Sequence, residues 1–535
     1  MMTTVLIKNA NIIDMVMDTP YLGDILVEDG KIVHIDAEIA AGEEEVLDAE
    51  GRFLIPGFID THSHLLLYGL YKSLVDLTPQ TVGSIDEIKA ALQARVDTTP
   101  DGEWVVGHGY SEIELAEDRH ITIDELDAIS TDHPIYIRHS SAHMGVANSR
   151  ALEIAGINEE TKDPDGGYFA RTDGRLNGLL FELPAVEMLL PHLPKPSKAE
   201  MIEALKAAQT DYISKGITTA TEACVGLAHG KDDYDAFTAY IQQNNDMKLR
   251  LMIDYQLMLE SESLKGLSFD ELKQRIEGLS DGQCTLDSAK FFQDGSIQIN
   301  TAALTENYHN VDDKSHIIIP QDKLEDLYMD FARRGYPLTT HGNGDAAIES
   351  IIEAYSKVNT MADYDEVTRI EHIQTGKYAD IEAMKANDIE GSFFTNHIYY
   401  YGDKHYEKFL GPARAEKMDP ARWAEDLGVL YTLHSDCPVT PISPLDTIRI
   451  ACDRTTKSGR VLGEDMKLSR FEALKAMTIS GAKLNRTESE NGSVEIGKAA
   501  DFVLLDENPL DEDIVLEDDL ILYTFIDGRL VYKRD

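Results

Sequence analysis

Two histidines one residue apart, His62 and His64, close the apolar run PGFIDTHSH. Residues two apart in a strand project to the same face, so both imidazoles can reach one cation. The plain alternative is a pair of polar residues at a strand end. Later apolar runs carry residues of the same kind: His341 in TTHGNGD, His372 in RIEHIQ and Asp436 in LHSDCPV. Imidazole and carboxylate are good Zn²⁺ ligands, and an open coordination position lowers the pKa of bound water from about 15.7 to about 7. The expected chemistry is therefore hydrolysis by metal-bound hydroxide at a divalent metal site of one or two ions, most readily Zn²⁺. Asp436 is both ligand and catalytic general acid/base, taking a proton from water and handing it to a leaving nitrogen. Its other reading, an N-cap for a helix near Pro444, suffers from the long separation in sequence.

Lys290, in KFFQDGS, is the unusual member of the set. An ammonium beside a dication is unfavourable, so Lys290 must lose its charge or pair. Carboxylation by CO₂ turns it into a bridging carboxylate and favours two metals; pairing with Asp294 or Asp287 is the alternative. His397, in FFTNHIYYYGD, is a catalytic candidate that binds substrate or polarises its carbonyl, or else a loop histidine. His139 and His143, in RHSSAHMGVANS, either reach the pocket from an insertion or are structural. Tyr399, Tyr400 and Tyr401 line an apolar pocket or simply pack. Glu222 offers support behind a histidine.

These residues need a scaffold that brings strand ends together. Eight short apolar runs alternate with amphipathic helical segments: 53–60, 216–223, 248–254, 286–292, 336–341, 367–374, 389–395 and 429–436. Eight strand–helix repeats predict an α/β fold, a closed (β/α)₈ barrel with its active site at the C-terminal ends of the strands. The intervening helices include SFDELKQRIEGL, where Ser268 and Glu271 suit a capping box, and DAAIESIIEAYSKV. Both chain ends read as short strands punctuated by turns, so 1–54 and 483–535 are expected to meet in a discontinuous β-sandwich. The barrel then occupies 55–482. The long gap after His64 holds WVVGHGY and the turn-rich DPDGGYFARTDGRLNG, which predicts an inserted subdomain at about 70–200 over the barrel mouth.

At 535 residues and 43% hydrophobic, the chain has ample material for a buried site and more than one domain. Acidic residues outnumber basic ones 96 to 49, a formal charge of −47, which argues against nucleic acid or an anionic membrane as partner. That leaves a small-molecule substrate, with a homo-oligomer open. The acidic excess fits a well-solvated surface or adaptation to salt. Four cysteines, with no Cys-x-x-Cys pair, suit a reducing, cytoplasmic compartment. The opening MMTTVLIKNANIIDM has no signal-peptide pattern, and no run of about 18 apolar residues predicts a membrane span.

PGFIDTHSH, KFFQDGS, HGNGDAAI, RIEHIQ, SDCPV and the closing GSVEIGKAADFVLLD together resemble the amidohydrolase superfamily, in its YtcJ-like, amidohydrolase-3 branch related to N-substituted formamide deformylases. The resemblance runs over nearly the whole chain, including the WVVGHGY, SSAHMGVANS and GGYFARTDGRLNGLLFE blocks. It implies a (β/α)₈ barrel plus a β-sandwich, with His62, His64, Lys290, His341, His372 and Asp436 as metal ligands. The family's last motif often reads SDWPV, whereas here Cys437 follows Asp436, a smaller side chain that widens the pocket or changes its polarity. The leading expectation is hydrolysis of an N-acyl or N-formyl amide, a carbon–nitrogen bond other than a peptide bond. The alternatives are a cyclic amide hydrolase or deaminase on the same site, and a metal-free binding or regulatory protein, against which the complete ligand set argues.

Overall fold

In the computed structural model, which describes residues 4–534 apart from 43, 80, 140–143, 165, 244 and 245, eight parallel strands form a near-closed barrel. They are Phe58–Ser63 (β1), Ile217–Val225 (β2), Lys248–Asp254 (β3), Cys284–Phe292 (β4), Leu338–Gly342 (β5), Thr368–His372 (β6), Ile389–Phe393 (β7) and Tyr431–Leu433 (β8). Each pairs in parallel with its neighbour from β1 through to β8. Every described residue of β1, β2 and β6 is buried, as expected where helices cover one face of a parallel sheet and side chains fill the other. At the seam between β1 and β8, the Thr61 and Thr432 hydroxyls lie 2.8 Å apart.

The helices follow the amphipathic pattern of the sequence. Phe269–Leu279 opens on a capping box, Ser268 Oγ accepting from Glu271 N–H at 3.3 Å, and buries Leu272 and Ile276. Asp345–Val358 buries Ile348, Ile351, Ile352 and Tyr355 at helical spacing. The two chain ends share one sheet, because Phe53–Pro56 pairs antiparallel with Phe502–Leu505, Pro56 opposite Phe502. Its core gathers Ile7, Ile12, Ile25, Val27 and Leu54 with Phe502, Leu504 and Phe525.

Two of the eight sequence runs fold differently from the expectation. The segment 53–60 is not one strand: Phe53–Pro56 belongs to the terminal sheet, and β1 begins only at Phe58. The junction is Gly57, where any Cβ would lie 2.2 Å from the Thr218 side chain. The last run stops at Leu433, and Asp436 lies beyond it with φ of 50°. A left-handed backbone there breaks the two-residue alternation of a strand, so the direction of Asp436 could not be read from periodicity.

Two compact units make up the chain: Met1–Leu66 with Ala208–Asp535, which contains the barrel and the terminal sheet, and Leu67–Ala207. The second unit has its own mixed sheet, running in order through Tyr168–Thr172, Arg175–Phe181, Met144–Ala147, Ile135–His139, Val105–Tyr110 and Val75–Asp76. One face of it packs on a cluster that includes Ile85, Ile88, Leu92, Leu126 and Ile137. Among the described residues, no helix is long and apolar enough to cross a membrane.

Candidate metal centre

At the C-terminal ends of the strands, five histidines and an aspartate converge. Nε2 of His62 and Nε2 of His64 each lie 3.3 Å from the same oxygen, Oδ1 of Asp436. His62, His372 and His434 form a second cluster, with the His372 and His434 ring nitrogens 3.0 Å apart. The ring of His341 stands 4.6 Å from that of His372. Most of these side chains are buried, His62 to 1% exposure.

The residues behind them explain the orientation. Nδ1 of His62 meets Glu371 at 2.6 Å, and Glu371 is fully buried against Arg369. Arg369 in turn reaches Asp287, which Arg250 pairs at 2.8 Å. A chain of alternating buried charges therefore runs through the barrel to the first histidine, each desolvated group paired with its opposite. Nδ1 of His64 faces Glu222 at 3.3 Å, and the other oxygen of Glu222 accepts from Leu66 N–H at 3.2 Å. With both Nδ1 atoms turned to carboxylates, both Nε2 atoms face the pocket, where a bound cation would take the place of the proton that Asp436 and Glu222 favour on His64.

Electrostatics sort these groups. Burial keeps His372 and His434 well below the usual imidazole range and brings His341 down to about 4, so all three are neutral. Burial also opposes charge on His64, but Asp436 and Glu222 outweigh it and raise the ring to about 9. Asp436, although buried, is held well below the carboxylate range by His62 and His64. Lys290 on β4 is 1% exposed, burial lowers its pKa, and its Nζ has no hydrogen-bond partner among the described residues. The two acids that might have paired it are engaged elsewhere. Asp287 holds the two arginines, and Asp294 accepts from the backbone N–H groups of Ala303, Asn343 and Gly344 at 2.7 to 3.0 Å.

This donor set fits a divalent cation. Ligands at about 2.0–2.1 Å from a tetrahedral ion stand about 3.3 Å from one another. The His62–Asp436 and His64–Asp436 separations match that value and exceed the 2.7–2.9 Å usual for a charge-assisted hydrogen bond. Oδ1 of Asp436, the atom both histidines face, has no well-formed hydrogen bond of its own among the described residues. A buried lysine without a partner beside this cluster is the further polar group that such a centre would satisfy.

The other sequence candidates separate. His397 lies at the edge of the cluster, its ring 4.2 Å from Phe394, with Nδ1 held by Gln298 at 2.8 Å and His405 at 3.3 Å. Tyr399 and Tyr400 pack with Ile398, Met418, Ile450 and Leu462, while Tyr401 turns its ring to His397 at 5.0 Å. In the second unit, His139 pairs with Glu112 at 2.8 Å; His143 lies outside the described residues. Cys437 is fully buried, and burial pushes its thiol up. Asp436 does not cap the helix Pro444–Asp453, whose N-cap is Ser443. Sequence reasoning missed His434, Glu371 and Arg369. A signal existed for all three: His434-x-Asp436 repeats the spacing of His62-x-His64, and Arg369-x-Glu371 places opposite charges on one face of a strand.

A family model described as "Amidohydrolase family" matches residues 45–532. N-substituted formamide deformylase of Arthrobacter pascens is 28% identical over 552 aligned residues, covering 100% of this chain and 99% of that protein. The putative amidohydrolase YtcJ of Bacillus subtilis is 27% identical, covering 95% and 96%. Among solved structures, an uncharacterized metal-dependent hydrolase from Pyrococcus horikoshii superposes with a TM-score of 0.76 at 21% identity, over 95% of this chain and 98% of that one. At that identity the likeness is one of fold.

Proposed function

Because this chain belongs to the amidohydrolase family, we propose that it is a metal-dependent hydrolase of a carbon–nitrogen bond in a small N-acyl or N-formyl amide. The observation that carries the reading is the approach of two histidine Nε2 atoms to one oxygen of Asp436, each at 3.3 Å. The full-length similarity to a protein named for formamide deformylation supports the substrate class.

A divalent cation, Zn²⁺ by ligand type, would be held by His62, His64, His341, His372 and Asp436, and when bound it supplies Lewis acidity that polarises a carbonyl and acidifies water. Asp436 accepts a proton from the attacking water and returns it to the departing nitrogen, so that amine and carboxylate leave together. Glu371 and Glu222 hold His62 and His64 in one tautomer through the reaction. In this reading His397, whose Nδ1 meets Gln298 at 2.8 Å, orients the substrate carbonyl. Lys290, whose burial favours the neutral amine, could add to CO₂ with loss of a proton, and the resulting carbamate would be a further anionic oxygen donor for a divalent cation.

Metal analysis of the purified chain, followed by a panel of N-formyl, N-acyl and cyclic amides, tests this. We expect stoichiometric zinc and release of amine from open-chain amides, abolished by chelation and restored by zinc. Turnover confined to cyclic amides or to amino-purine-type substrates would redirect the reading to ring opening or deamination. A protein that binds no metal would remove it.

A further inference from the structure

His434 belongs to no part of the ligand set above, yet it is fully buried within the cluster. Its Nε2 lies 3.0 Å from Nδ1 of His372, its Nδ1 lies 2.7 Å from Ser392 Oγ, and its ring stacks on that of His62 at 4.7 Å. Two ligands of one tetrahedral ion would stand about 3.3 Å apart, as the His–Asp pairs of this site do. The shorter His372–His434 separation is that of a hydrogen bond, which needs exactly one proton between the two nitrogens.

We infer that His434 is a positioning residue: it accepts from Nδ1–H of His372 and so turns the Nε2 lone pair of His372 toward the cation. The inference rests on the reading of His372 as a metal ligand. The remaining donors fall into one consistent order. His434 donates its own Nδ1–H to Ser392 Oγ, and the Ser392 hydroxyl faces Thr61 Oγ1 at 3.4 Å. Thr61 in turn shares its proton with Thr432 across the seam at 2.8 Å. Each of three histidines is then oriented from behind by a different group: His62 by Glu371, His64 by Glu222, and His372 by an imidazole. The third relay is neutral and is anchored where the first and last barrel strands meet, so closure of the barrel and the aim of His372 depend on the same hydroxyls.

Zinc affinity of the full-length protein, measured by competition with a chromogenic chelator, tests the role, and X-ray absorption counts the imidazoles on the bound zinc. Removing a partner of a ligating histidine typically weakens metal binding roughly 10- to 100-fold. His434→Leu is expected to show a loss of that size with the imidazole count unchanged. His434→Gln, whose amide oxygen can still accept from His372 and which keeps the buried slot polar, is expected to recover most of the affinity. Ser392→Ala should fall between the two. Unchanged affinity in His434→Leu would overturn the inference while leaving the metal centre standing. So would the loss of one imidazole in both His434 variants, which would make His434 a ligand. Wild-type protein without tight zinc binding would overturn the metal-centre reading and this inference with it.

Discussion

Asp436 and Lys290 are the two residues whose chemistry depends most on their surroundings. Asp436 is held ionised by His62 and His64 despite burial, which suits a group that must take up a proton only during the reaction. Replacing it with Asn keeps the shape and removes the base, so kcat is expected to fall roughly 100- to 10,000-fold. Near-normal turnover in that variant would exclude the proton-transfer role. Lys290 has lost the pairing acids that sequence proximity offered, because Asp287 and Asp294 serve other partners. Lys290→Ala is expected to lower both metal stoichiometry and activity, with partial recovery on adding formate or acetate, which can occupy the vacated carboxylate position. If neither acid restores any activity, the carbamate reading loses its support.

At the scale of the element, the loops after β4 and β5 must pack backbone against backbone to bring His341 to the cluster. Asp294 gathers three N–H groups from these loops, and at Gly344 any Cβ would lie 2.0 Å from the Ala303 carbonyl oxygen. Backbone cannot yield as a side-chain tip can, so Gly344→Ala is expected to destabilise the protein by about 1–3 kcal/mol and to displace His341. Thermal unfolding and zinc affinity measured together would check this; a variant unchanged in both would mean the loops have slack. Ser268→Ala, which removes one half of the capping box far from the metal centre, is expected to cost about 1 kcal/mol with zinc affinity intact.

The whole molecule carries a formal charge of −47. Self-repulsion on that scale is screened by salt, so the melting temperature is expected to rise between low and moderate ionic strength. Stability that falls on adding salt would show that specific ion pairs outweigh the net charge. Some carboxyls inside the barrel add a pH dependence. Burial raises Glu390 on β7 to about 7, and its Oε2 has no hydrogen-bond partner among the described residues. A folded-state pKa above the unfolded value, about 4.3 for Glu, means a contribution that is fully present below about pH 4 and is lost as pH rises through about 7. The melting temperature of Glu390→Gln relative to wild type should therefore climb over that interval and level off above it. A difference that stays flat with pH would show that Glu390 is not protonated in the folded protein.

The repeat of apolar runs and amphipathic helices was enough to determine the barrel, since burial of both strand faces and one helix face is written directly in residue order. Of the His62-x-His64 pair, His62 lies on β1 and His64 falls just past its end at Ser63, yet both Nε2 atoms face Asp436. What the order of residues could not decide was anything set by a turn or by a partner far along the chain. His372 and Asp436 sit at φ of 73° and 50°, where strand alternation no longer gives direction. Glu371 finds His62 from 309 positions away, and the acids flanking Lys290 turn to other groups. Only the near-closed barrel brings such residues within hydrogen-bonding distance, because backbone turns and long-range pairing, rather than local periodicity, fix where their side chains end.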